Sequence, residues 1–194
     1  NVKETSEIER FKRQYLEYME IEKGRALNTV ANYDRYLSRF IEQSHPTGNG
    51  ARVKTAGDIT EDRVRDFRLY LNRQNLAKNT QNYYVIALRT FLKYLFSREI
   101  STLAPNKIEL AKTGQRELDL ISNEELARLL AAPNITRENG LRDRAILELL
   151  FSTGLRVSEL CGLTEDSLSR LSLRSEAKGD ESFSIRGKGG KVRV

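Results

Sequence analysis

The sequence predicts a mainly α protein: an N-terminal four-helix bundle, then the first part of a mixed α/β domain that ends in a β-hairpin. Three observations carry this. Apolar residues recur at helical period in four separate segments of the first 104 residues. A polar stretch containing Pro105 interrupts that pattern. The final residues, FSIRGKGGKVRV, alternate around a glycine-rich turn, as paired strands do.

The first predicted helix, 6–22, places Ile8, Phe11, Tyr15, Tyr18 and Met19 on one stripe. The second, 28–43, aligns Val30, Tyr33, Leu37, Phe40 and Ile41, with Asn28-Thr29 as its expected N-cap. HPTGNGARVKTAG is turn-rich and reads as a loop. The third helix opens at Thr60-Glu61-Asp62-Arg63, with acids in its first turn where the helix dipole favours them, and carries Val64, Phe67 and Leu71 inward. The fourth, 79–97, shows Tyr83, Ile86, Ala87, Phe91, Tyr94 and Leu95 on one face. Four amphipathic helices imply a small bundle. The expected organisation is a bundle over 1–104, a linker over 105–118 and a second domain over 119–194, with no internal repeat.

In the second domain, Ser122-Asn123-Glu124-Glu125 fits a capping box ahead of LARLLAAP, which Pro133 stops. A strongly apolar helix over 140–152 ends at Gly154, and another begins near Arg156. The hairpin is still open at Val194, so the domain is expected to continue beyond it.

Composition narrows the function classes. Apolar residues at 39% and charged residues at 31% describe a globular chain, and no apolar run reaches the length a membrane span needs. The N-terminus is polar and unlike a secretory signal. The single cysteine, Cys161, excludes an internal disulfide framework and is consistent with a reducing cytoplasm; it is expected to pack in the core. The net charge of +6 suits a polyanionic partner, nucleic acid first, and residues 1–104 hold most of the excess, 18 basic against 13 acidic side chains. No His/Cys/Asp cluster has metal-ligand spacing, and His45 has no neighbour that would make it a ligand or base.

Two constellations carry chemistry. In TGLRVSEL, Arg156 follows a helix-breaking glycine and stands three residues before Glu159, which places both on one helix face. A planar guanidinium there can grip two non-bridging phosphate oxygens; the same spacing also fits an ordinary surface ion pair. The second is Arg186-Gly187-Lys188-Gly189-Gly190-Lys191-Val192-Arg193, four bases and no acid in a tight turn. A P-loop is excluded, because GxxxxGK(S/T) needs a hydroxyl residue and a following helix. A solvated basic turn remains the competing reading.

Taken together, TGLRVSEL followed about thirty residues later by the GKGGKVRV hairpin resembles the catalytic domain of tyrosine recombinases, in the Xer and phage-type integrase branch. The bundle resembles that family's SAM-like core-binding domain, with Thr29-Val30-Ala31-Asn32-Tyr33 and Asn79-Thr80-Gln81-Asn82-Tyr83 matching its helix-opening motifs. The resemblance implies metal-free and cofactor-free DNA cleavage through a 3′-phosphotyrosyl link. Arg156 matches the first catalytic arginine, Lys188 the lysine that protonates the leaving 5′-oxygen, and Glu159 a supporting acid. The family's HxxR pair and nucleophilic tyrosine would follow Val194, since all eight tyrosines (15, 18, 33, 36, 70, 83, 84 and 94) precede Pro105. The 194-residue chain is therefore expected to bind DNA without cutting it. Tyr83 and Tyr84 are assigned to the bundle core or to phosphate contact.

The implied partner is a double-stranded recombination site, on which family members assemble as tetramers. Thr29, Lys78, Asn79, Thr80, Asn82 and Arg89 are the expected DNA contacts, because free N–H groups and polar side chains at helix openings suit phosphate. Each of these also fits a plain cap or solvated surface residue. A non-catalytic DNA-binding accessory module would explain the basic bundle but leave TGLRVSEL and GKGGK without a role; a helical protein scaffold would leave the charge unexplained as well.

Overall fold

The computed structural model describes residues 6–43, 52–114, 119–165, 185–186 and 192–193. It is mainly helical and divides into two compact units, Asn1–Arg116 and Glu117–Val194. The first unit contains α1 (Glu7–Ile21), α2 (Leu27–Gln43), the 3₁₀ turn η1 (Ala56–Asp58), α3 (Glu61–Arg73), α4 (Lys78–Phe96) and η2 (Pro105–Lys107). The second contains α5 (Asn123–Ala131), α6 (Glu138–Thr153), α7 (Val157–Leu160) and the strands β1 (Ile185–Arg186) and β2 (Val192–Arg193).

Local chemistry sets most helix ends. Ser6 and Thr60 cap α1 and α3 through their hydroxyls, which accept from Glu9 N–H and Arg63 N–H. The expected cap of α2 is displaced: Ala26 carbonyl accepts from Thr29 and Val30 N–H, so the helix starts at Leu27 and Thr29 lies inside its first turn. In the same way α4 starts at Lys78 behind Ala77, which has no side-chain cap.

These two openings belong to a repeat that was not expected. At an offset of 51 residues, Ala26, Asn28, Thr29, Tyr33, Leu37 and Phe40 are matched by the identical Ala77, Asn79, Thr80, Tyr84, Leu88 and Phe91. Leu37 and Leu88 are both 1% exposed, as are Phe40 and Phe91, so equal positions do equal work in the core. The two helices run antiparallel, since Tyr33 and Phe91 both pack on Tyr15, while Tyr36 and Arg39, further along α2, meet Tyr84 near the start of α4.

α4 is the central helix, packing on α1, α2, α3 and η2. Its buried residues are Tyr84, Val85, Ala87, Leu88, Phe91, Leu92, Tyr94 and Leu95, while Tyr83, expected inward, is 57% exposed. A helix covered on most sides has no narrow stripe by which its orientation can be read. The expected loop after α2 also enters the core, because Val53, Ala56 and Ile59 are buried. Asp58 holds that segment by accepting from Lys54 and Thr55 N–H, both at 2.9 Å, which keeps its carboxyl below the usual range.

Residues 105–111, within the stretch expected to link two domains, lie on the bundle. Ile108 is buried, Lys107 Nζ pairs with Glu61 Oε1 at 2.6 Å, and Ala111 bonds to Asn82 through both backbone groups.

In the second unit, Ser122 and Glu125 form the expected capping box, with Ser122 N–H to Glu125 Oε2 at 2.8 Å and Glu125 N–H to Ser122 Oγ at 3.2 Å. Gly154 ends α6 in the left-handed region (φ 62°), the conformation glycine adopts without steric cost. β1 and β2 pair antiparallel in the register Ile185 to Arg193 and Arg186 to Val192, as the expected hairpin requires. His45 and Lys188 lie outside the described residues.

Candidate functional site

Polar and basic groups concentrate at the two repeated openings. At the start of α2 stand Asn28 and Thr29, preceded by Lys23 and Arg25. At the start of α4 stand Lys78, Asn79 and Thr80. Neither opening has a side-chain cap among its described contacts, so the N–H groups of Lys78, Asn79 and Thr80 at α4 have no described partner, and both openings carry the positive end of the helix dipole. Sequence reasoning missed Asn28, Lys23 and Arg25 as counterparts; the 51-residue repeat was the signal that would have found them.

Further along α4, positions 78, 82, 89 and 93 fall within about 60° of one another around the axis. This gathers Lys78, Asn82, Arg89 and Lys93 on the face opposite the buried residues. Arg89 Nε is buried without a hydrogen-bond partner among the described residues. Asn82 differs from the rest, for its side-chain amide is spent on the Ala111 peptide. Tyr84 belongs to the core: its hydroxyl accepts from Arg39 Nη1 at 3.1 Å, and Arg39 also donates to Tyr70. Those two phenol oxygens stabilise the Arg39 cation and raise its pKa further.

In the second unit the structure corrects the expected geometry of Arg156 and Glu159. Arg156 does not share a helix face with Glu159; it is the N-cap of α7, in extended backbone, and Glu159 is the third helical residue. The Glu159 carboxylate reaches back to bind Arg156 twice, accepting from the backbone N–H with Oε2 (2.9 Å) and from Nη1 with Oε1 (3.0 Å). This is the acidic half of a capping box, and it holds main chain and guanidinium together. The Glu159 side chain is 9% exposed and that of Arg156 58%, so the acid lies beneath and the cation is presented outward. Gly154 supplies the reversal between α6 and α7, which only three residues separate. Cys161, expected in the core, is exposed, and Leu155, Leu160 and Leu163 are half-buried. α7 is a single short turn and cannot bury one whole side. Among the described residues no group of three His, Cys, Asp or Glu side chains is placed to hold a metal ion.

The comparisons with known proteins divide the chain similarly. Residues 13–99 match the phage integrase N-terminal SAM-like domain, and residues 119–192 match the phage integrase family. A tyrosine recombinase XerD of Shewanella oneidensis is 35% identical over 176 residues, covering 89% of this chain and 53% of that protein. The XerD of Halalkalibacterium halodurans is 32% identical over 152 residues, 78% of this chain and 50% of that protein. The XerC of Bacillus pumilus is 31% identical over 183 residues, 92% of this chain and 55% of that protein. The chain thus spans about half the length of the curated relatives it matches. A protein with a SAM-like helical bundle and an arginine presented at a glycine turn, matched across both units, belongs to the phage integrase family of tyrosine recombinases.

Proposed function

We propose that the chain supplies the DNA-binding bundle and part of the phosphate-activating site of a site-specific DNA recombinase, which cuts and rejoins strands through a 3′-phosphotyrosyl intermediate. The observation that carries this reading is Arg156, held from below by Glu159 through two hydrogen bonds and presented to solvent at a chain reversal. Attack on a phosphodiester builds negative charge on the non-bridging oxygens. A guanidinium fixed in advance stabilises that charge without reorganising. Arg156 is assigned to those oxygens, Glu159 is its positioning residue, and Lys188 is the general acid for the leaving 5′-oxygen. DNA contact is assigned to Thr29, Lys78, Asn79, Thr80 and Arg89. Because α2 is 17 residues long and antiparallel to α4, the two openings stand about 25 Å apart, far enough to bracket a major groove about 12 Å wide. Assembly as a tetramer on two duplexes belongs to the same proposal.

A mobility-shift titration of the 194-residue chain tests it. Affinity for duplex DNA falls steeply as salt rises, because cationic contacts release counterions. Replacing Thr29 and Thr80 together by Ala weakens binding. A suicide substrate gives no covalent adduct, since the chain's eight tyrosines all lie in the bundle unit. Affinity that is the same at low and high salt, or an adduct, overturns the reading.

A further inference from the structure

Asn82 is the one expected DNA contact whose polar atoms are already engaged. Its Nδ2 donates to Ala111 O at 2.9 Å and its Oδ1 accepts from Ala111 N–H at 3.0 Å. The side-chain amide therefore pairs with a peptide as a neighbouring strand would. Its position in the fold gives this pair a consequence. The chain after α4 returns along the bundle, anchored by Thr102 Oγ1 donating to Ala56 O (3.1 Å), by the Lys107 and Glu61 ion pair, and by buried Ile108. Among the described residues of this segment Ala111 is the last one held: 112–114 have no hydrogen bond there. Beyond them the chain leads to the second unit, whose first helix starts at Asn123.

We propose that Asn82 is a latch that sets the point at which the connecting segment leaves the bundle, and that it is a positioning residue instead of a DNA ligand. Without it the last described grip retreats to Ile108, which releases three more residues, about 10 Å of reach when extended. Each of the two bonds is modest alone, but both are made by one side chain and are lost together. The DNA arm of the proposal rests on the DNA-binding reading above; the latch itself does not.

Two variants of the 194-residue chain separate the possibilities. Asn82→Ala removes the latch and any contact Asn82 makes with DNA. Ala111→Pro removes the N–H on the other side of the latch and leaves Asn82 in place. Limited trypsin digestion at Lys112, immediately after the latch, is compared with cleavage at Lys23 as an internal control. Both variants are expected to speed cleavage at Lys112 by about tenfold, with cleavage at Lys23 unchanged. Their affinities for one duplex are expected to agree within about twofold, because the Ala111 N–H bond is lost in both and Asn82 itself makes no contact with DNA. Unchanged cleavage at Lys112 in both variants overturns the latch. Affinity weakened about tenfold in Asn82→Ala but not in Ala111→Pro makes Asn82 a DNA ligand and also overturns the proposal. If the unsubstituted chain binds no duplex, the DNA-binding reading fails and the trypsin arm alone decides.

Discussion

Tyr15 is 4% exposed, and its hydroxyl donates to Thr90 Oγ1 at 3.0 Å, while Thr90 donates in turn to the Ile86 and Ala87 carbonyls. Burial disfavours the phenolate and pushes the Tyr15 pKa up to about 12. A raised acid pKa means that the unfolded chain gives up this proton first. The stability contributed by neutral Tyr15 is therefore whole below pH 10 and is lost as pH rises from 10 toward 12. Tyr15→Phe is expected to cost about 1 kcal/mol at neutral pH, from the lost hydrogen bond. It should also flatten the fall in stability above pH 10, measured by urea unfolding across an alkaline series. The role proposed for Lys188 is testable in any longer form of the protein that cleaves DNA. If Lys188 protonates the leaving oxygen, Lys188→Ala slows cleavage by about 10²–10⁴-fold. A substrate with sulfur in place of that oxygen needs no proton and should restore the rate. Failure of sulfur to rescue would assign Lys188 to phosphate binding. Arg156→Ala serves as the control, since a lost charge stabiliser is not rescued by a better leaving group.

At the scale of elements, α6 shows how a helix rule can be reversed by a neighbour. Glycine inside a helix normally weakens it, and exchange for Ala gains about 1 kcal/mol. Gly140 stands in the first turn of α6, where a Cβ would lie 1.8 Å from the carbonyl oxygen of Asn134. That carbonyl is fixed by accepting from Arg137 N–H at 3.1 Å, and Asn134 Oδ1 braces the loop by accepting from Thr136 N–H at 3.0 Å. Gly140→Ala is expected to destabilise the second unit by about 1–3 kcal/mol through overpacking, measured by thermal unfolding. A neutral or stabilising result would mean that the loop yields easily. α2 and α4 teach the opposite lesson, since their repeated sequence produces repeated burial. The same Leu and Phe positions are closed in both helices, and the same Asn-Thr pair opens both.

Across the whole molecule, burial is unevenly distributed. Every buried apolar side chain among the described residues lies between Ile8 and Ile108. In the described part of the second unit only Gly140 is buried, and Leu120, Leu141, Phe151 and Val157 are each more than half exposed. Opening free energy follows buried apolar contact, so hydrogen exchange should be slowest in α4 and α2 and markedly faster throughout α5 and α6. Equal protection in the two units would contradict this. The first unit's excess of basic groups is also carried on a well-packed frame, which suits the proposed contact with DNA because the charges need not rearrange.

Much was legible in the residues alone. Period determined the four bundle helices, and local capping the start of α3, the Ser122 box and the end of α6 at Gly154, because each depends on neighbours within four positions. The arginine turn was recognisable for the same reason, since Gly154 constrains the local backbone there, and the alternation on either side of the second glycine run pointed to the paired strands β1 and β2. What only the tertiary structure decided were contacts between distant positions. The inner face of α4 depended on four elements packed around it. The burial of Val53, Ala56 and Ile59 in an apparent loop depended on α1 and the strand of chain near Thr102. Asn82 reads as a helix-opening polar residue until Ala111, 29 positions later, is brought beside it. Arg156 and Glu159 could be paired from spacing, but whether they shared a helix face or met across an N-cap was settled by where Gly154 turns the chain.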